Sequence, residues 1–368
     1  MRIRLAHPLV PTAFFELAGE ALLSGSLTGG PLVGRFEQAL SARLEGCEVV
    51  AVSSGTMAAL LSFMALREQG VRRVVLPSFS FPSVAAAARL AGLDLLLVDI
   101  EPHGLGIDLA AAGKARLDPS CVLLSLDAFG IPEDDQGIAR LVQKTGCTWM
   151  EDAACAFGSR ARGHACGTAS HLAILSFHPR KTLTCGEGGA VVTRDPKLAV
   201  ALRSLRNLGL EGSGDQRRFA RTGTNGRMSE LHAAVGLSQL ALFDALLEKR
   251  RRLGREYVAR LAAIPDLVVP AGFAHKGANF QSVAVRLPKR VRRTQVIQRL
   301  ARAGIESTVA GFAIHAQPAF GGVRTEGSLP HSTAWHQHGL ALPLNERMEL
   351  QQIEEVTTKL ADAFKPGA

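Results

Sequence analysis

The chain has 368 residues, 47% of them hydrophobic, with 42 Lys and Arg against 33 Asp and Glu for a formal charge of +9. That length exceeds one small domain and suits a large α/β unit with a smaller one beside it, and no apolar stretch approaches the roughly 20 residues of a membrane span. The positive charge lies in Arg-rich runs such as 249–252 and 289–293, and one Tyr and two Trp offer little for base stacking, so a solvated basic surface or attraction of a small anion is expected, with no nucleic-acid or membrane partner.

The first residues are broken by prolines and acids and carry no signal-peptide core, so a cytoplasmic protein is expected. Phe36, Leu40 and Leu44 recur at helical spacing in the opening segment. From residue 49 the text changes to short apolar runs at 49–52, 74–76, 95–98, 122–124, 147–150, 172–176 and 190–193, which predict strands. Ala- and Leu-rich helices are predicted between them at 57–68, 83–91 and 137–144. Strands that read as continuous apolar runs and alternate with helices predict a mostly parallel sheet covered on both faces. Residues 228–261 predict one long helix bridging two lobes. Beyond it a strand at 282–287, a helix at 294–303, a strand at 306–309, a loop and a terminal helix at 350–364 predict a smaller α+β unit. The expected division is 1–245 and 246–368. Six cysteines, none in a CxxC pair, read as reduced thiols.

The segment from 149 to 193 carries the most chemistry. One apolar run delivers Asp152; a second delivers Ser176 and, five residues on, Lys181, before the turn Gly186-Glu187-Gly188-Gly189. An acid at the end of one strand and a lysine in the loop after another suggest a pyridoxal 5′-phosphate site. A buried aspartate needs a cationic partner, which a protonated pyridine nitrogen would be. The lysine would form the Schiff base, its basicity lowered by desolvation or a cationic neighbour such as Arg180. Ser176 would donate to the phosphate. The competing reading is a capping aspartate and a solvated loop lysine.

Three further stretches admit two readings each. Ser53-Ser54-Gly55-Thr56 is either a capped helix start or, through its free N–H groups, an anion site. Pro77-Ser78-Phe79-Ser80-Phe81-Pro82 offers an aromatic to stack on a flat ring or to fill the core. Asn225, in Gly223-Thr224-Asn225-Gly226-Arg227-Met228, is an amide donor at a helix start or part of a turn. His336-Gln337-His338 and His164-Ala165-Cys166 set their side chains too close together for usual zinc geometry, so no metal is expected.

Taken in order, these pieces resemble the pyridoxal-phosphate-dependent sugar aminotransferases of the DegT/DnrJ/StrS type. The matching stretches run from Phe36-Glu37 and Ser54-Gly55-Thr56 through Glu151-Asp152-Ala153-Ala154 and Lys181 to His315-x-x-Pro318 and Leu342-Pro343-Leu344. The resemblance implies fold type I, like aspartate aminotransferase: a large domain with a mostly parallel sheet sandwiched by helices, and a small C-terminal α+β domain. It implies that Gly55, Thr56 and Ser176 hold the phosphate and that Phe81 stacks on the ring. Asp152 would hold the pyridine nitrogen, Cys155 border the ring, and Lys181 carry the cofactor covalently. Asn225 would reach the phosphate of a neighbouring subunit, hence a homodimer. The implied reaction is a ping-pong transfer from an amino acid, glutamate by analogy, to a keto-sugar, most simply a nucleotide-linked one. A ketone of specialised metabolism, or a cofactor-bound sensor with little turnover, stands as the alternative. Two positions depart from the family: Cys155 stands where Gln or His is usual, and Asp127 where His is usual. Both are expected near the substrate mouth.

Overall fold

Side chains alternate across a strand, so a run that is apolar at every position must be buried on both faces. The computed structural model, which describes residues 2–363, shows this arrangement. Its central sheet contains β1 (Glu48–Val52), β2 (Arg73–Pro77), β3 (Asp94–Val98), β4 (Cys121–Leu126), β5 (Thr148–Asp152), β6 (Leu172–Ser176) and β7 (Gly189–Thr193). The spatial order is β1-β7-β6-β5-β4-β2-β3, with the two-residue segment Arg324–Thr325 added beside β3. The pairs β6–β5, β5–β4, β4–β2 and β2–β3 are parallel, while β7 runs antiparallel to both of its neighbours. All seven predicted strands are present, each within two residues of its expected ends.

One face of the sheet packs Val50, Val52, Leu76, Leu124, Met150 and Ile174 against the helices Gly55–Glu68, Pro82–Leu90 and Pro196–Leu205. The opposite face divides into two clusters. Ala51, Ala173 and Leu175 meet Phe36 and Leu40 of helix Pro31–Arg43, while Val75, Leu123 and Trp149 meet Ile138 and Val142 of helix Asp135–Thr145. The opening helical segment is thus two helices, Ala13–Ser24 and Pro31–Arg43, and the sequence reading did not resolve Leu109–Lys114, Pro196–Leu205 or Pro330–His338.

The long helix expected at 228–261 is also two, Glu230–Leu240 and Phe243–Ala262, bent by 66°. Each half answers to a different neighbour. The first packs on the two N-terminal helices and the second on helix Leu350–Asp362, and buried Phe243 anchors the corner with its ring centroid 4.8 Å from that of Phe157.

The C-terminal part forms a three-stranded antiparallel sheet in the order Val283–Arg286, Gly339–Leu342, Thr308–Val309, with helices Arg293–Arg302 and Leu350–Asp362. Its central strand lies in what reads as a loop in the sequence. The strand expected at 306–309 shortens because residues 304–306 bond instead to Ile3, Ile3 N–H donating to Gly304 O at 2.8 Å and Glu306 N–H to Ile3 O at 2.9 Å. The expected end of the last helix, residue 364, lies outside the described residues. Among the described residues no single helix is long and apolar enough to cross a membrane.

Candidate active site

Parallel strands deliver their carboxyl ends to one edge, where loops can gather polar groups. β5 ends in Asp152, paired in register with Leu126 of β4 and Ile174 of β6. β6 runs two residues further and ends in Ser176, opposite Gly189 of β7, which in turn lies opposite Val52 of β1. The loop after β6 turns back at Lys181, whose N–H donates to His178 O at 2.8 Å.

Asp152 is 3% exposed. Ala154 N–H donates to its Oδ1 at 3.0 Å. Burial pushes its carboxyl above the ordinary aspartate range, while the Ala154 N–H and the Lys181 charge pull the other way. A buried acid whose nearby positive charge is a single lysine suits a site that receives a further cationic group. Lys181, half-buried, donates from Nζ to Cys155 Sγ at 3.1 Å. Arg180 is exposed, and its main-chain carbonyl accepts from Gln281 Nε2.

The helix start is built to approach this edge. Ser54 caps helix Gly55–Glu68, its Oγ accepting from Met57 N–H at 3.1 Å, which leaves N–H groups of the first turn without partners inside the helix. A Cβ on Gly55 would stand 2.8 Å from Ser176 Cβ. One on Gly189 would stand 2.5 Å from the carbonyl carbon of Ser54. Glycine at these two positions lets the helix N-terminus sit directly against the end of β6. N–H donors, a serine hydroxyl and a positive helix end together make an anion cradle, so the donor set fits a phosphate, and the neighbouring acid and lysine fit the rest of pyridoxal 5′-phosphate.

The remaining expected residues frame the cradle. Ser53 N–H donates to Gly226 O at 2.9 Å, so the turn that holds Asn225 lies beside the helix start, with Asn225 exposed. Phe81 is 66% exposed and meets the Phe312 ring edge-on at 6.2 Å. Phe79 is core, in van der Waals reach of Trp335 at 5.9 Å between centroids. Thr56 is exposed.

Asp127 is not at the mouth. It is 2% exposed and its carboxylate meets Glu151 and Cys166. Glu151 adjoins Asp152 on β5 and therefore points to the opposite face of the sheet, which puts Asp127 on that face as well. Sequence reasoning also missed Asn279. It is fully buried, and its Nδ2 donates to Cys155 O and Phe157 O, both at 2.9 Å, fixing the loop that presents Cys155 to Lys181. It lies over 120 residues from that loop in a stretch without a motif, so no local signal marks it.

The profile described as the DegT/DnrJ/EryC1/StrS aminotransferase family matches residues 11–361. A dTDP-3-amino-3,4,6-trideoxy-alpha-D-glucose transaminase of Streptomyces venezuelae is 32% identical, covering 97% of this chain and 96% of that protein. The erythromycin biosynthesis sensory transduction protein EryC1 of Saccharopolyspora erythraea is 30% identical, covering 92% of this chain and 91% of that one. Among solved structures, DesI crystallised in the presence of its TDP-sugar product superposes with a TM-score of 0.89 at 28% identity, over 100% of this chain and 94% of that chain.

Proposed function

The chain belongs to the DegT/DnrJ/EryC1/StrS aminotransferase family, and from that premise we propose that it moves an amino group from glutamate to a nucleotide-linked keto-sugar, using pyridoxal 5′-phosphate. The observation that carries this reading is the convergence of Asp152, Lys181 and the Gly55 helix start on one edge of the sheet. When bound, the cofactor supplies an electron sink that lets the amino group leave one substrate and join another in two half-reactions.

The chain's own residues do the rest. The N–H groups of Gly55 and Thr56 and the Ser176 hydroxyl hold the phosphate, and Phe81 covers the ring. Asp152 keeps a negative charge against the pyridine nitrogen, where burial makes that charge strong. Cys155 lies beside Lys181 at the ring's edge. Lys181 would hold the cofactor covalently and, once displaced by the donor's amino group, would move a proton at Nζ between substrate carbon and cofactor carbon, in opposite senses in the two half-reactions. Asn225, exposed in one subunit, reaches the site of the second, so the working unit is a homodimer in the cytoplasm. The cofactor domain is residues 1–245 and the smaller domain 246–368.

The nucleotide-linked acceptor is supported by the names of the Streptomyces venezuelae transaminase and of DesI with its TDP-sugar, and by a net charge of +9 that attracts a diphosphate. The name of EryC1, a sensory transduction protein, favours one second reading, a cofactor-bound sensor with little turnover. An absorption spectrum taken before and after glutamate, with Lys181→Ala alongside, separates the two. A visible band that requires Lys181 and bleaches with glutamate supports the aminotransferase. A Lys181-dependent band that no amino acid changes refutes transamination and leaves the sensor. No band after pyridoxal 5′-phosphate is supplied refutes both.

A further inference from the structure

On the face of the sheet turned away from Asp152, three buried side chains from three separate segments converge. Asp127 follows β4, Glu151 lies on β5, and Cys166 follows the short hairpin strand His164–Ala165. They are 2%, 5% and 5% exposed. Their ligand atoms all lie within 4.8 Å of one another. A point therefore exists no more than about 2.8 Å from all three, so each ligand atom need move in by at most roughly 0.5–0.8 Å to reach the ~2.0–2.3 Å of zinc–oxygen and zinc–sulfur bonds.

The carboxylates are already oriented. Glu133 N–H donates to Asp127 Oδ1 at 3.1 Å and Gly167 N–H donates to Glu151 Oε1 at 2.6 Å. Each acid has one oxygen left over, Asp127 Oδ2 and Glu151 Oε2, that is buried and takes no N–H donor; the two carboxyl groups face each other, with Cys166 against Asp127 and Ser170 against Glu151. Backbone donors that fix one carboxylate oxygen and leave the other free are the outer-shell arrangement of a metal ligand. Among the described residues no ion pair involves Asp127 or Glu151; the other titratable groups lining the same space are Glu133, Asp135 and His164, whose Nδ1 lies 3.3 Å from Glu45 Oε2. The space is a cavity of about 20 Å³, room for one ion or water and for no organic ligand.

Two buried acids and a thiol without a cation are costly. Burial first, then the Glu133 charge, push Asp127 up to about 7 against the pull of its hydrogen bond with Glu151; burial and the Asp127 charge push Glu151, and burial with the charges of both acids pushes the Cys166 thiol, well above their ordinary ranges. Either a retained proton or a cation must neutralise the cluster. We infer that Asp127, Glu151 and Cys166 bind one divalent transition-metal ion, Zn²⁺ by donor type, with water in the fourth position. The thiol decides the class, because hard ions such as Mg²⁺ and Ca²⁺ take oxygen ligands and a thiolate selects a borderline or soft one. Binding releases the thiol proton and the carboxyl proton to solvent. The local reading of His164-Ala165-Cys166 missed this because the two partners of Cys166 come from other strands.

The test uses the chelator-treated holoenzyme titrated with Co²⁺. One equivalent should raise the visible bands of a tetrahedral ion together with a thiolate charge-transfer band, and one equivalent of Zn²⁺ should abolish both. Cys166→Ser should remove the charge-transfer band, and Asp127→Asn should weaken Co²⁺ binding about 10-fold or more, with the far-ultraviolet circular dichroism of each variant showing that it folds. Absence of these bands at stoichiometric Co²⁺ overturns the inference, and so do bands that survive both substitutions. A cluster that takes up no Co²⁺, while the melting temperature falls as pH rises through 7, has a proton as its occupant and likewise overturns it.

Discussion

Replacing Gly55 with alanine isolates the phosphate cradle. The added methyl would stand 2.8 Å from Ser176 Cβ and 3.2 Å from its hydroxyl, where carbon atoms prefer about 3.5–4.0 Å. The helix start must therefore retreat by about 1 Å from the end of β6. That displacement lengthens the N–H bonds to a bound phosphate beyond useful range, and a hydrogen bond to a charged group contributes about 1.5–3 kcal/mol. Losing one predicts a dissociation constant for pyridoxal 5′-phosphate raised about 10- to 100-fold. The assay is a cofactor titration followed by absorbance, run in parallel with pyridoxal, which lacks the phosphate. Gly55→Ala should weaken the phosphate ester and leave pyridoxal unchanged. Gly34→Ala is the control: nothing lies within 4 Å of its added methyl, and as a glycine inside helix Pro31–Arg43 it should gain about 0.5–1 kcal/mol of stability. Unchanged affinity for the phosphate ester in Gly55→Ala would refute the cradle. An equal loss for both ligands would show a general deformation instead.

Asp152→Asn keeps the acceptor for Ala154 N–H but removes the charge facing the pyridine nitrogen; unpairing a buried charge costs about 3–5 kcal/mol, so the glutamate half-reaction should slow roughly 10²- to 10⁴-fold in single-turnover measurements, and a loss under tenfold would contradict the assigned role. A pH dependence of stability is expected at His315, whose Nδ1 lies 2.7 Å from Ser78 Oγ and Nε2 3.1 Å from Thr333 Oγ1. Burial first, then the charge of His336, hold its pKa below the usual histidine value. The folded state thus binds fewer protons than the unfolded one, so this stability is present above the unfolded histidine pKa of about 6.5 and is lost as pH falls through the folded value. His315→Gln should cost about 1 kcal/mol at pH 7 for an imperfect hydrogen bond and flatten the fall in melting temperature between pH 7 and 5; an unchanged slope would assign it to other groups, such as His336 and His338, which burial also holds low.

The strands were legible because a segment buried on both faces must be apolar at nearly every position, as 172–175 and 190–192 are. Asp152 and Ser176 were legible as polar residues at the ends of such runs, and Lys181 as a lysine in the loop that follows the second. The bend at 241–242 was not, because apolar spacing continues through it and only the separate neighbours of the two halves require a break. Strand Gly339–Leu342 was hidden by its four-residue length after a His-rich helix. Glu230 was equally silent. It is fully buried and gathers the N–H groups of Gly30, Leu32 and Val33 at 2.7–3.2 Å, capping helix Pro31–Arg43 from 200 positions away in the chain, a role that no local pattern encodes.

Asp127 shows the deeper limit. Its place in the motif order pointed to the substrate mouth, yet which way a side chain points depends on the pleat. Glu151 and Asp152 are adjacent, so β5 presents one acid to each face, and Lys181 and Cys166 wait on opposite sides. The assignment is held by the ladder: five paired positions with β4, three with β6, and a buried bond from Trp149 Nε1 to Ser125 Oγ at 2.8 Å on the Glu151 side. A slip of one residue would turn every side chain over, bringing Glu151 toward Lys181 and Asp152 toward Cys166. Both polar environments therefore depend on one register, and the apolar residues of β4, β5 and β6 that fix it govern the chemistry at the strand ends without touching it.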